Sequence, residues 1–162
     1  MDGTPTSADV VIRSATDADA FSISFLLGDL GYPIEPSLIV QKLATIRDSP
    51  VNRVWVVELR ANAVLGERET LAGLLSFHAI PLLHKVGGLG RITALVVHPK
   101  LRGKGIGRRL VGVAEHFARD IHCERLEVTS GEHRHDAHRF YTGLGFSLRS
   151  ARFVKSLDRS KI

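Results

Sequence analysis

The chain has 162 residues, 44% of them hydrophobic and 24% charged, a balance that suits one globular domain with a real core and is too apolar for disorder. A formal net charge of +5 favours anionic partners (nucleic acid, a membrane surface or a phosphorylated small molecule) without choosing between them. Cys123 is the only cysteine, which excludes an internal disulfide, and no apolar run reaches the length of a membrane span.

Residues 1–9 read as a flexible polar tail, MDGTPTSAD, with acidic and small residues where a leader needs basic ones before an apolar core. The expectation is therefore a soluble, cytoplasmic protein with no membrane role, and residues 10–162 are read as a single domain. Val10–Arg13 reads as a short first strand. Thr16 or Asp17 can cap a helix that runs to about Leu30, with Phe21, Phe25 and Leu26 near helical spacing. Gly31-Tyr32-Pro33 breaks it, and a second amphipathic helix follows Glu35-Pro36 through Leu38, Ile39, Leu43 and Ile46, stopping near Asp48-Ser49-Pro50.

Arg53–Leu59 is β-branched and aromatic, hence a strand; Leu71–Ile80 and Gly90–Val97 read as the next two. The intervening polar segments, 61–70 and PLLHKVGG after Ile80, read as turns of an antiparallel meander. After His98-Pro99 the pattern becomes helical, with Ile106, Leu110, Val113, Ala114 and Phe117 on one face. Arg125–Thr129 alternates as a strand, Ala137–Leu144 reads as a helix ended by Gly145, and Phe146–Leu157 supplies one or two closing strands. The order βααβββαβαβ is a mixed α/β fold, with no internal repeat or linker.

The segment HPKLRGKGIGRRLVG, His98 to Gly112, places glycines and basic residues at a strand-to-helix junction. A helix start presents unpaired N–H groups and a partial positive charge, and Gly103, Gly105 and Gly107 let the backbone approach an anion closely. Two familiar nucleotide loops fail on spacing. The phosphate loop of nucleoside triphosphatases needs G-x-x-x-x-G-K-[ST], whereas Gly107 is followed by Arg108-Arg109; the dinucleotide fingerprint needs a third glycine where Leu110 stands. Nucleic-acid binding is not expected either, because the bases concentrate at one helix start and aromatic content is only 6%.

What fits is R-x-x-G-x-G at Arg102 to Gly107 after Leu95-Val96-Val97-His98-Pro99, joined downstream by Ala137-His138-Arg139-Phe140-Tyr141-Thr142-Gly143-Leu144-Gly145-Phe146. Together these resemble the acetyl-CoA motif and the following motif of the GNAT superfamily of acyl-CoA-dependent N-acyltransferases. Locally, Arg134 to Tyr141, Leu83 to Val86 and Gly90 to Val97 are similar to aminoalkylphosphonate N-acetyltransferases. The resemblance implies a mixed central sheet with splayed strands flanked by helices, and acetyl-CoA as cosubstrate. It implies that main-chain groups of Leu95, Val96 and Val97 pair with pantetheine, and that Arg102, Gly103, Lys104, Gly105, Ile106, Gly107 and Arg108 wrap the pyrophosphate. It also implies Tyr141 as the general acid for the CoA thiolate. Arg134 stands where much of the superfamily has an Asn that touches pantetheine.

The reaction implied is transfer of acetyl to a primary amine, of a small anionic molecule such as an aminoalkylphosphonate. Protein or aminoglycoside acetylation on the same fold, or a non-catalytic module binding acetyl-CoA or nucleic acid, are the alternatives. Many relatives carry a carboxylate in the strand before the CoA motif, but Arg91 and Ala94 supply no base; His84 is taken as the candidate, with His78 or a water chain as substitutes. His135, Asp136 and His138, near Glu132-His133, suggest a metal, but no zinc-type spacing accompanies them, so they read as capping and packing residues and no tightly bound metal is expected. Dimers are frequent in the superfamily, so a homodimer is allowed for.

Overall fold

A computed structural model of the chain describes residues 10–59, 71–131, 134–149 and 153–157. These group into two compact units that divide after Thr129. The expected tail before Val10 and most of the turn between the second and third strands lie outside the described residues.

The first unit is built on one five-stranded sheet in sequence order: β1 (Val10–Ser14), β2 (Arg53–Leu59), β3 (Leu71–Ile80), β4 (Gly88–Val97) and β5 (Cys123–Val128). Neighbours run antiparallel from β1 to β4, as expected of a meander, and β5 returns parallel to β4 after a crossover helix. The helices are α1 (Ala20–Asp29), α2 (Pro36–Arg47) and α3 (Ile106–Asp120).

Side-chain alternation divides the core into two layers. On one face, Ala20, Ile23 and Leu26 of α1 and Ile39 and Leu43 of α2 pack on Val54, Val56, Leu71, Leu74 and Val96. On the other, α3 buries Ile106, Leu110, Val111, Ala114 and Ala118. Phe117, half-buried on α3, meets Trp55 and Phe77 edge-on at 5.6 and 5.5 Å between centroids, with the Arg53 guanidinium 4.7 Å over its ring.

The entry to α1 is fixed electrostatically. Arg13 of β1 grips both carboxylate oxygens of Asp19 at 2.8 Å, and Thr16 donates its N–H at 2.7 Å and its hydroxyl at 3.0 Å to Asp19 Oδ2. Burial pushes the Asp19 carboxyl up, but the bonds from Arg13 and Thr16 outweigh it and hold it below the usual carboxylate range. The sequence places the cap at Thr16 or Asp17; the structure makes Thr16 the N-cap of a short 3-10 turn, Asp17–Asp19, before α1, with Asp19 as the reciprocal partner of its capping box.

The second unit contains α4 (His135–Thr142), which begins two residues earlier than expected and closes with Gly145 at φ 88°. The closing strands expected over Phe146–Leu157 do not form among the described residues there: 146–149 and 153–157 carry no strand pairing, and Leu148, Phe153, Val154 and Leu157 are exposed. Alternating apolar residues make a strand only where a partner supplies the ladder, so local pattern alone overstates this segment. Among the described residues no helix is long and apolar enough to cross a membrane.

Because Asp19 is depressed, the stability it contributes is complete above the carboxylate's unfolded pKa and is lost as pH falls through its lower folded value. Asp19→Ala should therefore cost about 3 kcal/mol at pH 7, the low end for breaking a buried pair because Arg13 is partly exposed, and the cost should shrink below about pH 4, where the unfolded carboxyl protonates. Urea unfolding of both proteins at pH 7 and pH 3 checks this; an equal loss at both values contradicts it.

Candidate functional site

β4 is the strand on which the candidate site is built. Its pairing with β5 ends at Ile92↔Val128, although β4 itself continues to Val97. The next residue of β4 is a bulge against β3: Ser76 faces Ala94 and Phe77 faces Ile92, so Thr93 is the extra residue. β4 is therefore left with one edge that β5 does not accompany.

Hydrogen-bond alternation identifies which groups face that edge. His98 N–H donates to Ala72 O at 2.9 Å, which makes this a bonded pair of the β3–β4 ladder. Counting back in twos, Val96 and Ala94 direct their peptide groups to β3, while Val97 and Leu95 direct theirs away from it. Of the three residues expected to offer main-chain groups, Leu95 and Val97 have them aimed at the open edge and Val96 turns its own into the sheet.

The loop after β4 is pinned by two buried side chains. His98 is 2% exposed, stacks on Phe25 of α1 at 5.8 Å with the rings 18° apart, and accepts from Lys100 N–H through Nδ1. Leu101 is fully buried at the end of a 3-10 turn, Pro99–Leu101. Between these anchors and α3, Arg102 to Gly105 stand exposed. Gly103 and Gly105 both have φ of 78°, a conformation that side-chain-bearing residues rarely adopt, with nothing within 4 Å of a Cβ built there. Gly105 is the N-cap of α3, so the amides of Ile106, Gly107 and Arg108 occupy the helix's first turn, whose N–H groups have no partner within the helix. Gly107 lies inside the helix at ordinary φ.

Arg102 bridges three parts of this region. Its Nε donates to Val97 O at 3.2 Å, on the open edge, and its Nη2 pairs with Asp29 at the end of α1. Neither Asp29 nor Phe25 carries a sequence signal for a site, because each is recruited by packing of α1 over the loop.

A second cluster lies at the closed end of the fork. The rung His78–Arg91–Glu127 crosses β3, β4 and β5 one position before the strands part, with register pairs His78↔Arg91 and Arg91↔Glu127. Arg91 Nη2 donates to Glu127 Oε2 at 3.0 Å and Arg125 Nε pairs with Glu127 Oε1 at 3.0 Å. Among the described residues, Arg91 Nε is buried with no hydrogen-bond partner. His78 Nε2 lies 3.1 Å from Ser76 Oγ, and burial pushes the imidazole below its usual value, favouring the neutral ring at pH 7.

His84 is placed elsewhere. It stands in the exposed turn between β3 and β4, flanked by the fully exposed Leu83 and Val86, before β4 begins at Gly88. From Gly88 to Thr93 the strand advances about 16 Å, so the structure does not bring His84 to the open edge. His78, two strands over from β5 and one rung from the fork, is the closer histidine.

In the second unit, Tyr141 lies on α4 with its ring against Phe140 and Phe146 at 5.1 and 5.5 Å. Burial raises the phenol's pKa, opposed by the positive charge of Arg134, so the hydroxyl keeps its proton through neutral pH. His138 Nε2 lies 3.1 Å from Gly131 O, and the Ala137 N–H holds the Asp136 carboxyl below its usual range, although the N-cap of α4 is Arg134 and no side chain caps it. Glu132 and His133 lie outside the described residues. Among those described, no three His, Cys, Asp or Glu side chains gather to hold a metal. A cleft of about 610 Å³ between α3 and β1–β2, lined by Ile12, Trp55, Val113 and His116, lies on the α3 face near β1, away from the fork.

Comparison with known proteins adds to this geometry. The aminoalkylphosphonate N-acetyltransferase of Salmonella typhimurium (strain LT2) is 39% identical over 87 residues, 54% of this chain and 56% of that protein. The mycothiol acetyltransferase of Tsukamurella paurometabola is 34% identical over 83 residues, 51% of this chain and 28% of that one. The chain thus spans about half, or less, of the curated relatives it matches. Among solved structures, a protein described as a transcriptional regulator from Bacillus halodurans C-125 superposes with TM-score 0.77 at 27% identity, covering 91% of this chain and 99% of that one. The glucosamine-6-phosphate N-acetyltransferase of Arabidopsis thaliana does so with TM-score 0.75 at 21% identity, covering 92% and 99%, a likeness of fold alone. Residues 30–146 match the Acetyltransferase (GNAT) family, an interval that holds β2 to β5, the opened edge of β4 and the glycine-started α3, and the chain belongs to that family.

Proposed function

We propose that the protein is an acetyl-CoA-dependent N-acetyltransferase that acts on the primary amine of a small anionic acceptor such as an aminoalkylphosphonate. The observation that carries this reading is the coupling of two features on one strand: β4 runs on past its last pairing with β5, and a short turn links its end to a glycine-capped helix start. An extended amide-bearing arm pairs with such an edge as a strand would, and a pyrophosphate suits the N–H groups at the helix start. Leu95 and Val97 would hold the arm, and Gly103 to Arg108 the pyrophosphate, with Lys104 and Arg108 adding charge. The ligand supplies an acetyl thioester, whose carbonyl carbon the amine attacks. The anionic acceptor is supported by the Salmonella relative and by the excess of basic residues.

Two proton movements remain for the protein. An alkylammonium has a pKa near ~10.4, so the nucleophilic amine is scarce at neutral pH unless a group removes its proton. We assign that step to His78, which burial keeps neutral, in preference to the exposed His84. The departing thiolate needs a proton, and Tyr141, whose phenol stays protonated, is the proposed donor, as the family resemblance implies.

A thiol-release assay of acetyl-CoA against aminoalkylphosphonates, alkylamines without an acidic group and aminoglycosides tests the activity; turnover with none of them contradicts the proposal. Gly105→Asn tests the cofactor site, because Asn tolerates the left-handed conformation and so adds a side chain with little strain. Acetyl-CoA affinity by calorimetry should fall about tenfold or more, a loss of about 1.4 kcal/mol, while thermal stability barely changes; unchanged affinity sinks the assignment.

Tyr141→Phe keeps the packing and should lower kcat on the order of 10²-fold with little change in the acetyl-CoA KM. Wild-type turnover, with chemistry shown to be rate-limiting, removes Tyr141 from the mechanism. His78→Ala should lose most activity near neutral pH and less at high pH, where free amine is plentiful, whereas His84→Ala should show neither effect. A loss in His78→Ala that is uniform across pH makes it a positioning residue.

A further inference from the structure

The sheet face under α1 and α2 changes character along β3 and β4. Leu74 and Val96 are buried beneath the helices, whereas Ser76, His78 and Arg91 on the same face are only half-buried. The polar patch continues onto β5 through Glu127 and Arg125. It therefore sits at the crotch of the fork, two residues from the Thr93 bulge, or about 7 Å along the strand. If the cofactor's pyrophosphate is held at the start of α3 and its arm runs back along Val97 and Leu95, the reacting end arrives at this patch.

We propose that Arg91 is the acceptor-binding residue of this site: its guanidinium, with Arg125 beside it, takes the acidic group of the amine substrate, and Glu127 is the counter-ion that holds Arg91 in place and yields to that group. This rests on the acetyl-transfer reading and adds to it the residue that selects the acceptor. The chemistry of the rung supports it. Arg91 and Arg125 against one Glu127 leave a net positive charge, which suits an anion and repels a cation. A guanidinium has five N–H donors in a planar fork that matches the oxygens of a phosphonate or carboxylate. Among the described contacts Glu127 uses only Nη2, so the exposed part of the guanidinium keeps donors for an incoming anion. Its side chain is 34% exposed, reachable from solvent, yet held by Glu127 on the neighbouring strand. Ser76 and His78 complete the polar surface beside it, the latter placed for the amine end of the same molecule.

The test compares 2-aminoethylphosphonate with propylamine, a primary amine of similar length that has no acidic group, in three proteins. Arg91→Gln should lower the ratio of kcat/KM for the phosphonate to that for the alkylamine by about 10- to 100-fold, the worth of a hydrogen bond to a charged group, chiefly through the phosphonate KM. Glu127→Gln removes the competing carboxylate while keeping Arg91, so the same ratio should hold or rise. An ion pair that merely braces β4 against β5 predicts the contrary: both variants lose activity on both amines in parallel, with no change of preference, and that result overturns the proposal. Should Arg91→Gln fail to fold, Arg91→Lys keeps the charge and loses the fork; an intermediate drop in the ratio supports the role and an unchanged ratio opposes it. A wild-type protein that acetylates propylamine but not the phosphonate overturns the anionic-acceptor reading itself. A wild-type preference for the phosphonate that survives in all variants overturns the role of Arg91 alone.

Discussion

The parting of β4 from β5 after Ile92 is the constraint on which the rest of the site depends. Within a sheet every peptide group is satisfied by a neighbouring strand, and an interior strand has none to spare. That rule is broken at a defined point: β5 ends at Val128, opposite Ile92, and β4 continues through a bulge at Thr93 to Val97. From the bulge to Val97, alternate peptide groups are directed away from β3, towards an edge that no strand accompanies among the described residues. A ligand with its own amides can take the place of the missing strand, and main-chain recognition of this kind needs no particular side chain at Leu95 or Val97.

The loop and helix beyond β4 carry the charge that the gap lacks. His98 and Leu101 fasten the loop to the core, which leaves the positive-φ glycines and the first turn of α3 in a fixed place at the mouth of the gap. Arg102 ties this mouth to α1 through Asp29 and to the open edge through Val97 O. α1 thereby does two things: its apolar side closes the core over Leu74 and Val96, and its far end braces the loop. The Arg13–Asp19 pair fixes the entry of α1, the helix whose other end meets Arg102.

Much of this was legible in the chain, for local reasons. The strand-to-helix junction at His98–Gly107 follows from one apolar run, a proline and spaced glycines, and the meander follows from β-branched segments between polar turns. Pairs fixed only by long-range register were not legible. Nothing near Arg91 announces Glu127, because the two meet only once β5 returns parallel to β4 in a specific register. The same reason separates His78 from His84: both lie near the third strand in sequence, but strand length sends His84 to the exposed turn and leaves His78 a rung from the fork. Val96 shows the limit at finer grain, since which of three neighbouring residues offers its peptide groups depends on the ladder's phase and not on residue type. The segment from Phe146 has a strand's composition but no ladder among its described residues.

The central claim, that the open edge of β4 is the seat of acetyl-CoA, is tested most directly by residue-resolved amide hydrogen exchange with and without saturating CoA. The account predicts that the Leu95 and Val97 amides slow markedly on addition of CoA, while Val96, already bonded into β3, is slow in both states. The first-turn amides of α3, Ile106 to Arg108, should slow alongside them. If CoA binds and protects other residues while Leu95 and Val97 exchange as before, the cofactor sits elsewhere and the account is wrong.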